Sequence, residues 1–219
     1  VLALRLGALA AVYTITRILF VLFNAGLFPD VPLASFVGGL RFDASAIGWI
    51  NLPWLVLYLS QTPARFKRLH ALQLALFIIP NAVALFFQFV DLGYYAFSLK
   101  RSTADFLQIL TTGNDTASLA PAFLKDYWYL LLLYLGSLAA LVWAYGLSAR
   151  RAAAVEPLAW RIGWRLIALG AMILAVRGGL QLVPLQPMDA ARYGGARVLP
   201  VTLNTPFTML MSVGKPTLV

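Results

Sequence analysis

The segment DLGYYAFSLKRSTAD, residues 91–105, stands where a long apolar run, residues 69–90, gives way to polar sequence. It gathers acids, tyrosines and basic residues within a few helical turns. On one continuous helix, polar residues at steps of three and four share one face. That face is predicted to carry Asp91, Tyr94, Ser98, Arg101 and Asp105. Such a segment is either an interfacial anchor, since aromatic and basic residues favour membrane boundaries, or a polar site at the mouth of a helix bundle.

The composition is typical of helical membrane proteins. Hydrophobic residues make up 61% of the 219 residues and charged residues 11%, whereas about 25% of an ordinary globular chain is charged. The apolar runs are long enough to span a bilayer, which takes about 20 helical residues. The net charge of +9 lies between these runs, so it indicates helix-flanking residues and anionic lipid as a partner, and not nucleic acid. The absence of cysteine excludes disulfides and thiolate chemistry.

The apolar runs predict an all-α fold, a bundle of five transmembrane helices. The spans are predicted at about 6–28, from the LRFDASA motif to 60, 69–97, 127–146 and 160–176. Pro53 and Pro80 lie inside the second and third spans, where neighbouring helices can satisfy the freed carbonyls of a kink. The transmembrane domain is predicted at residues 1–183. Residues 184–219 contain five prolines and no further span, which predicts an extracytoplasmic juxtamembrane connector.

The charge of the loops predicts the orientation, because basic residues favour the cytoplasmic side. With the N-terminus inside, the cytoplasmic segments hold eight basic residues and the opposite inter-helix loops hold four. The eight are Arg5, Arg65, Lys67, Arg68, Arg150, Arg151, Arg161 and Arg165, and the four are Arg41, Lys100, Arg101 and Lys125. Five spans then place the C-terminus outside.

This topology brings polar residues from three helix ends to one level of the outer face. Buried charges are costly unless they pair, so we expect mutual Arg–Asp pairs there. The excess of arginine also favours a phospholipid head group, because a planar guanidinium binds phosphate through two hydrogen bonds. The candidates for the head-group site, or for its supporting ion-pair rim, are Arg41, Asp43, Asp91, Tyr94, Tyr95, Lys100, Arg101 and Arg177.

Three further polar residues lie within the predicted spans. Arg17 has Asp91 as a candidate partner, and the alternatives are that Arg17 snorkels to the interface or that the first span begins later. Asn81 and Gln88 form a polar stripe with Asp91, which predicts that this face of the third span looks into the bundle. The sequence contains no metal-ligand spacing, phosphate-binding loop or nucleophile elbow, so no catalytic or metal-binding residue is predicted in this chain.

Four segments of the sequence are distinctive in their order and spacing: LRFDASAIGWINLP, DLGYYAFSLKRSTAD, RGGLQLVP and LNTPFTMLMS. Together they resemble the membrane domain of bacterial lipoteichoic acid synthase-like proteins. This family consists of phosphoglycerol transferases of the alkaline phosphatase/sulfatase superfamily. The resemblance covers about residues 17–212 and implies five transmembrane helices in the bacterial cytoplasmic membrane, followed by a large extracytoplasmic sulfatase-fold domain.

In this family the sulfatase-fold domain would hold a threonine nucleophile and a divalent metal, usually manganese. It would move phosphoglycerol, or phosphoethanolamine in some relatives, from a membrane phospholipid through a phosphothreonine intermediate. Neither the threonine nor the metal ligands has a counterpart here, so the resemblance implies a fragment or a processed product without cofactor of its own. Its expected partners are a membrane phospholipid, anionic or zwitterionic, and its own catalytic domain.

Three interpretations of the function stay open. The first is a membrane anchor that presents a phospholipid head group to the transferase domain. The second is a purely structural anchor or stand-alone scaffold, in which the polar rim only holds the bundle together. The third is a small lipid or solute transporter, which the interior prolines and Arg17 favour; five unrepeated spans give it little support.

Overall fold

The computed structural model of the chain describes residues 1–60, 69–106, 125–150 and 158–214, which form helices joined by turns. The longer helices are α1 (Leu2–Phe23), α2 (Leu33–Ile50), α3 (Leu52–Ser60), α4 (His70–Ser98), α5 (Trp128–Arg150) and α6 (Leu158–Arg177). Two 3-10 helices follow, Pro187–Tyr193 and Ala196–Val198, and then two short α-helices, α7 (Leu199–Thr202) and α8 (Thr205–Ser212). The basic loop with Arg65, Lys67 and Arg68, the polar run 111–118 and Arg151 lie outside the described residues.

The helices are suited to a membrane. Three of them, α1, α4 and α5, are long and apolar enough to cross a bilayer, and α2 with α3 makes a fourth candidate span. The predicted helical class and the membrane-spanning length of these segments are therefore confirmed. The fifth predicted span corresponds to α6, a 20-residue helix that is not among these candidates. Five spans and the inward N-terminus remain predictions.

The second predicted span is broken into α2 and α3, which meet at an angle of 63°. Pro53 has no N–H to donate and its ring obstructs the preceding turn, so a bend next to it is expected. Asn51 fills the break. Its backbone N–H and its side-chain amide both donate to the Ile47 carbonyl, at 3.0 and 2.9 Å, which supports the end of α2. Pro80, by contrast, lies within a helix that continues from His70 to Ser98.

The glycine pair Gly38–Gly39 lies inside α2, whereas the sequence predicted that it precedes the second span. The reason is close packing. A Cβ at Gly38 would collide with the ring of Tyr193, and one at Gly39 would collide with the guanidinium of Arg17. The two glycines therefore serve as sites of helix contact, a role that glycine often has in membrane bundles.

The segment 91–105 is not one helix. α4 ends at Ser98, and Leu99 adopts the left-handed conformation with φ of 54° while its N–H donates to the Tyr95 carbonyl at 2.8 Å. The prediction of a single helical face is therefore wrong beyond Ser98. The chain reverses at Leu99, and this reversal returns Arg101 and Ser102 to Asp91 on the helix that they have just left.

The C-terminal segment packs into the bundle. α7 and α8 contact α2, α7 also contacts α1, and α8 contacts α4. Every residue from Val201 to Thr208 is buried, and Phe207 joins the main hydrophobic core beside Phe42. The buried apolar residues of this tail therefore pack against the bundle. The predicted boundary at residue 183 remains a prediction.

Arg5 lies in the core and not in a loop, although the charge count assigned it to a cytoplasmic segment. Its side chain is buried, its Nε donates to Ser148 at 2.8 Å, and its guanidinium stacks 3.6 Å from the ring centre of Tyr145. Aromatic faces attract cations, most strongly away from water. Arg5 thus joins α1 to α5 at the end of the bundle opposite the site described next.

Candidate functional site

Two buried Arg–Asp pairs form the polar centre of the described structure. Arg17 on α1 pairs with Asp43 on α2, and Arg101, after α4, pairs with Asp91 on α4 at 3.3 Å. We call these four residues the buried ion-pair site. The predicted pairing of arginines with aspartates is confirmed, but the predicted partner of Arg17 is wrong. Asp43 takes that place, because α1 and α2 pack together, whereas Asp91 is occupied by the returning chain.

Arg17 binds the C-terminal segment through backbone oxygens. Its Nη1 donates to the carbonyls of Val201 and Thr202, each at 2.5 Å, and its Nη2 donates to the Gly39 carbonyl at 3.0 Å. Its side chain is only 2% exposed, so the alternative that it snorkels to water is wrong. The last carbonyls of a helix have no partner within the helix, and cations are favoured there. At the end of α7, Arg17 supplies both the hydrogen-bond donors for the last carbonyls and the positive charge that is favoured there.

Asp43 joins Arg17 to the start of α8. One carboxylate oxygen, Oδ1, accepts from Arg17 and from Asn204 Nδ2, the latter at 2.8 Å. The other end of the Asn204 amide, Oδ1, accepts from the Phe207 N–H at 2.8 Å and so caps α8. An N-terminal cap of this kind satisfies a donor that the helix itself cannot. The orientation of Asn204 is therefore fixed from both sides.

Arg101 binds the same segment from the other side. Its Nε donates to the Pro200 carbonyl at 2.8 Å and its Nη2 to the Leu203 carbonyl at 3.2 Å, while the ring of Phe20 lies 3.5 Å from the guanidinium carbon. Burial lowers the pKa of Arg101 to about 10 because it removes water from the charged form, and Asp91 opposes this effect. Arg101 is therefore a cation at neutral pH.

Asp91 is surrounded by donors. It accepts from Arg101, from the Ser102 hydroxyl at 2.7 Å, from the Thr205 hydroxyl at 2.7 Å and from the Ser102 N–H at 3.3 Å. Both carboxylate oxygens of Asp91 therefore have hydrogen-bond partners, as a buried polar group requires. Asp91 thus holds both the turn after α4 and the first residue of α8.

The two pairs together act as a clamp on the polypeptide. Four successive carbonyls, those of residues 200–203, each accept from Arg17 or Arg101. These guanidinium groups bind protein oxygens in a buried setting, where an external phosphate has no access. The interpretation as a supporting ion-pair rim is therefore favoured for Asp43, Asp91 and Arg101. Arg17, predicted as a separate intramembrane polar residue, joins them through Asp43.

Arg41 and Arg177 meet elsewhere, at the loop that follows α6. Arg41 donates to the Gly178 carbonyl, the Gln181 side chain and, at 3.1 Å, the Tyr193 hydroxyl. Arg177 is exposed and donates to the carbonyls of Gln181 and Leu182, at 2.8 and 2.5 Å. Of the charged residues predicted for the site, these two and the exposed Lys100 lie outside the buried ion-pair site.

The predicted tyrosines lie among aromatic rings. Tyr95 is buried and packs edge-on against Phe20, with ring centres 4.8 Å apart. Tyr94 is half-buried and its ring centre lies 5.1 Å from that of Phe106. Whether either hydroxyl serves a head group stays a prediction.

The predicted polar stripe of α4 does face the interior. Asn81 and Asn51 exchange amide hydrogen bonds at 2.7 and 3.2 Å, and Gln88 donates to the Thr16 hydroxyl. Both α4 side chains are buried, so this prediction is confirmed. The stripe links α4 to α1 and to the junction of α2 and α3.

Sequence reasoning missed three residues that hydrogen-bond to the aspartates of the buried ion-pair site: Ser102, Asn204 and Thr205. A signal for two of them was present in LNTPFTMLMS, since an Asn followed two residues later by Pro is typical of a helix N-terminus. That signal predicts α8 but not its burial. Ser102 has no comparable local signal, because its role depends on the reversal at Leu99.

Comparison of the chain with protein-family models, with curated proteins and with solved structures gave no match. Within the described residues, no three His, Asp or Glu side chains are placed to hold a metal ion. The resemblance to lipoteichoic acid synthase-like proteins, and the metal expected in their catalytic domain, remain predictions from the sequence motifs.

Proposed function

We propose that this chain is the membrane-anchoring and positioning domain of a sulfatase-family transferase. In this proposal the bundle lies in the bacterial cytoplasmic membrane and carries a catalytic domain on the outer face. That domain transfers phosphoglycerol or phosphoethanolamine from a membrane phospholipid. The motif resemblance supplies the reaction class, and the described helices supply a bundle of membrane-spanning length.

One observation carries the positioning role: the segment 199–208 is bound into the core by two buried arginines and two buried aspartates. A simple anchor needs only to span the bilayer. A buried ion pair costs desolvation, so it is weak evidence for stability and better evidence for a fixed geometry. A segment fixed in this way leaves the bundle at Ser212 in a defined place and direction. The clamp therefore suits a domain that must meet a lipid head group at a set height.

The experiment changes the connection between the end of α8 and the proposed catalytic domain, and it leaves the helix bundle intact. In the natural gene product, a ten-residue Gly-Ser linker is inserted after Gly214, downstream of the clamp. Such a linker spans about 18 Å on average, since flexible chains extend roughly 5–6 Å times the square root of their length. We expect membrane insertion and melting temperature to stay unchanged and lipid turnover per folded molecule to fall at least tenfold.

The matched control is the same linker inserted after Asp30, an exposed position in the connection between α1 and α2. This insertion lengthens the chain but leaves the exit segment attached. Turnover that survives both insertions equally would show that the catalytic domain finds lipid unaided, which is the purely structural interpretation. An absence of any lipid phospho-transfer by the natural gene product would remove the transferase proposal itself.

A further inference from the structure

The loop after α6 exposes apolar side chains on the surface of the protein, and its backbone is fixed by hydrogen bonds. We call residues 180–183 the apolar loop. The side chains of Leu180 and Leu182 are 90% and 92% exposed, and Val183 is also exposed. Scattered exposed leucines are ordinary, but these three occur within four residues. Met188, shortly after them, is 75% exposed.

The backbone of this loop is held rather than free. α6 ends at two glycines with positive φ, Gly178 at 80° and Gly179 at 127°, and the Gly179 N–H donates to the Leu174 carbonyl at 2.9 Å. After the loop, the N–H of the buried Leu185 donates back to the Arg177 carbonyl at 3.1 Å. A Cβ at Gly178 would lie 2.6 Å from that of Leu185, so glycine is required there. The chain therefore leaves and rejoins the bundle at one point.

Arginine satisfies two of the four carbonyls of the apolar loop and the Gly178 carbonyl just before it. Arg177 takes those of Gln181 and Leu182, and Arg41 takes that of Gly178 together with the Gln181 side chain. Unsatisfied backbone groups oppose insertion into a bilayer, and satisfied ones remove that cost. These contacts turn the backbone oxygens inward and leave the aliphatic side chains outward.

The surroundings indicate a lipid as the occupant. α6, which leads into the loop, exposes apolar side chains along its length, among them Leu166, Ile167 and Ile173. Residues 177–197 contain three arginines and one acid, a charge that favours anionic lipid. The Nη1 of Arg177 has no partner within the described ranges, so this end of an exposed guanidinium is open to an external oxygen.

We propose that the apolar loop inserts into the membrane interface and that Arg177 pairs there with the phosphate of an anionic phospholipid. The leucines enter the upper acyl region while the guanidinium stays at the level of the phosphates. This inference goes beyond the positioning role and rests only on the membrane location that the two proposals share. It gives the exit side of the bundle a second attachment to the bilayer, through a loop and not through a span.

The natural lack of cysteine makes a site-specific probe straightforward. Leu182→Cys is labelled with the environment-sensitive fluorophore NBD in vesicles of three parts phosphatidylcholine to one part phosphatidylglycerol. The substitution keeps the backbone carbonyl that binds Arg177 and changes a side chain that touches little. Asp30→Cys serves as the water-exposed control and Leu132→Cys, on an exposed face of α5, as the acyl-chain control.

We expect the probe at 182 to emit at shorter wavelength than the probe at 30. Its quenching by a shallow doxyl-labelled lipid should be at least threefold stronger than at 30, and its quenching by aqueous iodide correspondingly weaker. Iodide quenching equal to that at 30 would place the loop in water and overturn the proposal. Protection from both quenchers would also overturn it, since the loop would then be covered by protein.

The arginine is tested by the lipid preference of the same probe. Doxyl-phosphatidylglycerol should quench the probe at 182 more strongly than doxyl-phosphatidylcholine at equal lipid content. Arg177→Gln should bring the ratio of the two quenching efficiencies close to one. Arg177→Lys should keep part of the preference. Arg192→Gln is the control, because the Arg192 guanidinium is exposed and already pairs with Asp189 at 3.2 Å. An unchanged ratio in Arg177→Gln would exclude the phosphate contact. These readouts measure lipid contact and not transfer, so their failure leaves the positioning role standing.

Discussion

At the scale of single residues, the ion pair between Arg17 and Asp43 should behave as a buried pair and not as a surface one. Removing one partner leaves an uncompensated charge, which costs about 3–5 kcal/mol, whereas replacing both with apolar residues of similar size is often neutral or stabilising. We therefore expect Arg17→Met alone and Asp43→Leu alone to destabilise strongly. The double variant should regain the part of the loss that comes from the unpaired charge, but not the hydrogen bonds from Arg17 to the carbonyls of Val201 and Thr202. The measurement is the free energy of unfolding in mixed detergent micelles.

The control for this cycle is Arg192→Met with Asp189→Leu. That pair lies three residues apart and its arginine is 73% exposed, and exposed pairs contribute at most about 1 kcal/mol. Asp189 also accepts from the Gln186 N–H at 2.9 Å, so the Arg192→Met variant alone gives the loss of the pair. The single variants at Arg17 and Asp43 should lose more free energy of unfolding than the control variants. Equal or smaller losses would contradict the burial of the pair.

Gly39 supports the same pair by leaving room for it. Gly39→Ala should push the Arg17 guanidinium away from Asp43 and the Gly39 carbonyl, at a cost of about 1–3 kcal/mol as in other overpacked sites. Gly136→Ala, on α5, is the matched control. A Cβ at Gly136 would have no atom within 4 Å. Alanine favours helix over glycine by about 1 kcal/mol, so this control should be neutral or slightly stabilising. Equal effects of both variants on the unfolding free energy would count against the close approach of Arg17.

At the scale of elements, Arg101 decides whether α7 and α8 stay attached. We expect Arg101→Ala to raise amide hydrogen exchange across residues 199–212 by at least tenfold, since the carbonyls of Pro200 and Leu203 and the Asp91 carboxylate lose a partner. α5, which lies elsewhere in the bundle, should exchange as before. A uniform increase over all helices would mean that the clamp serves global stability, and no increase would mean that the segment is held by its apolar side chains alone.

The elements themselves were largely predictable, because long apolar runs and prolines carry strong local signals. The spans around α1, α4 and α5 and the break near Pro53 follow from hydropathy and from the missing N–H of proline. The end of the segment 91–105 was not predictable in this way. Leu99 carries no signal for a left-handed residue, and its conformation is supported by hydrogen bonds that Arg101 and Ser102 make only after the chain has turned.

The partners in the site depended on tertiary structure for the same reason. The expectation that arginines pair with aspartates followed from the cost of buried charge, and it is confirmed. The choice between Asp43 and Asp91 for Arg17 required knowledge of which helices touch. The burial of residues 201–208 was missed because this segment is too short for a span and too rich in proline for a long helix, so its contacts could not be inferred from local pattern.

At the scale of the whole molecule, the proposed function requires a longer natural product. We expect the natural gene product, detected with an antibody against the basic segment around Arg65, to have an intact mass well above the 24.0 kDa of this chain. The physical reason is that the proposed reaction needs a nucleophile and a metal site for which this sequence offers no pattern. The measurement is immunoblotting followed by intact mass spectrometry.

A mature product near 24 kDa would favour the scaffold or transporter interpretations. Uptake or lipid-scrambling assays in liposomes then separate those two, since a scaffold moves no solute or lipid. The lipid contact of the apolar loop would remain testable in either case.

The clamp on residues 200–203 has a consequence for sequence variation. Arg17 and Arg101 hold main-chain oxygens, which every amino acid supplies, so the arginine contacts place no demand on the side chains at these four positions. Only the packing of the buried residues 201–203 limits their replacement. Asn204 and Thr205 act through their side chains and should change only together with Asp43 and Asp91. We therefore expect homologous chains to differ in the side chains of residues 200–203. They should keep the two arginines, the two aspartates and the Asn-Thr pair at 204 and 205.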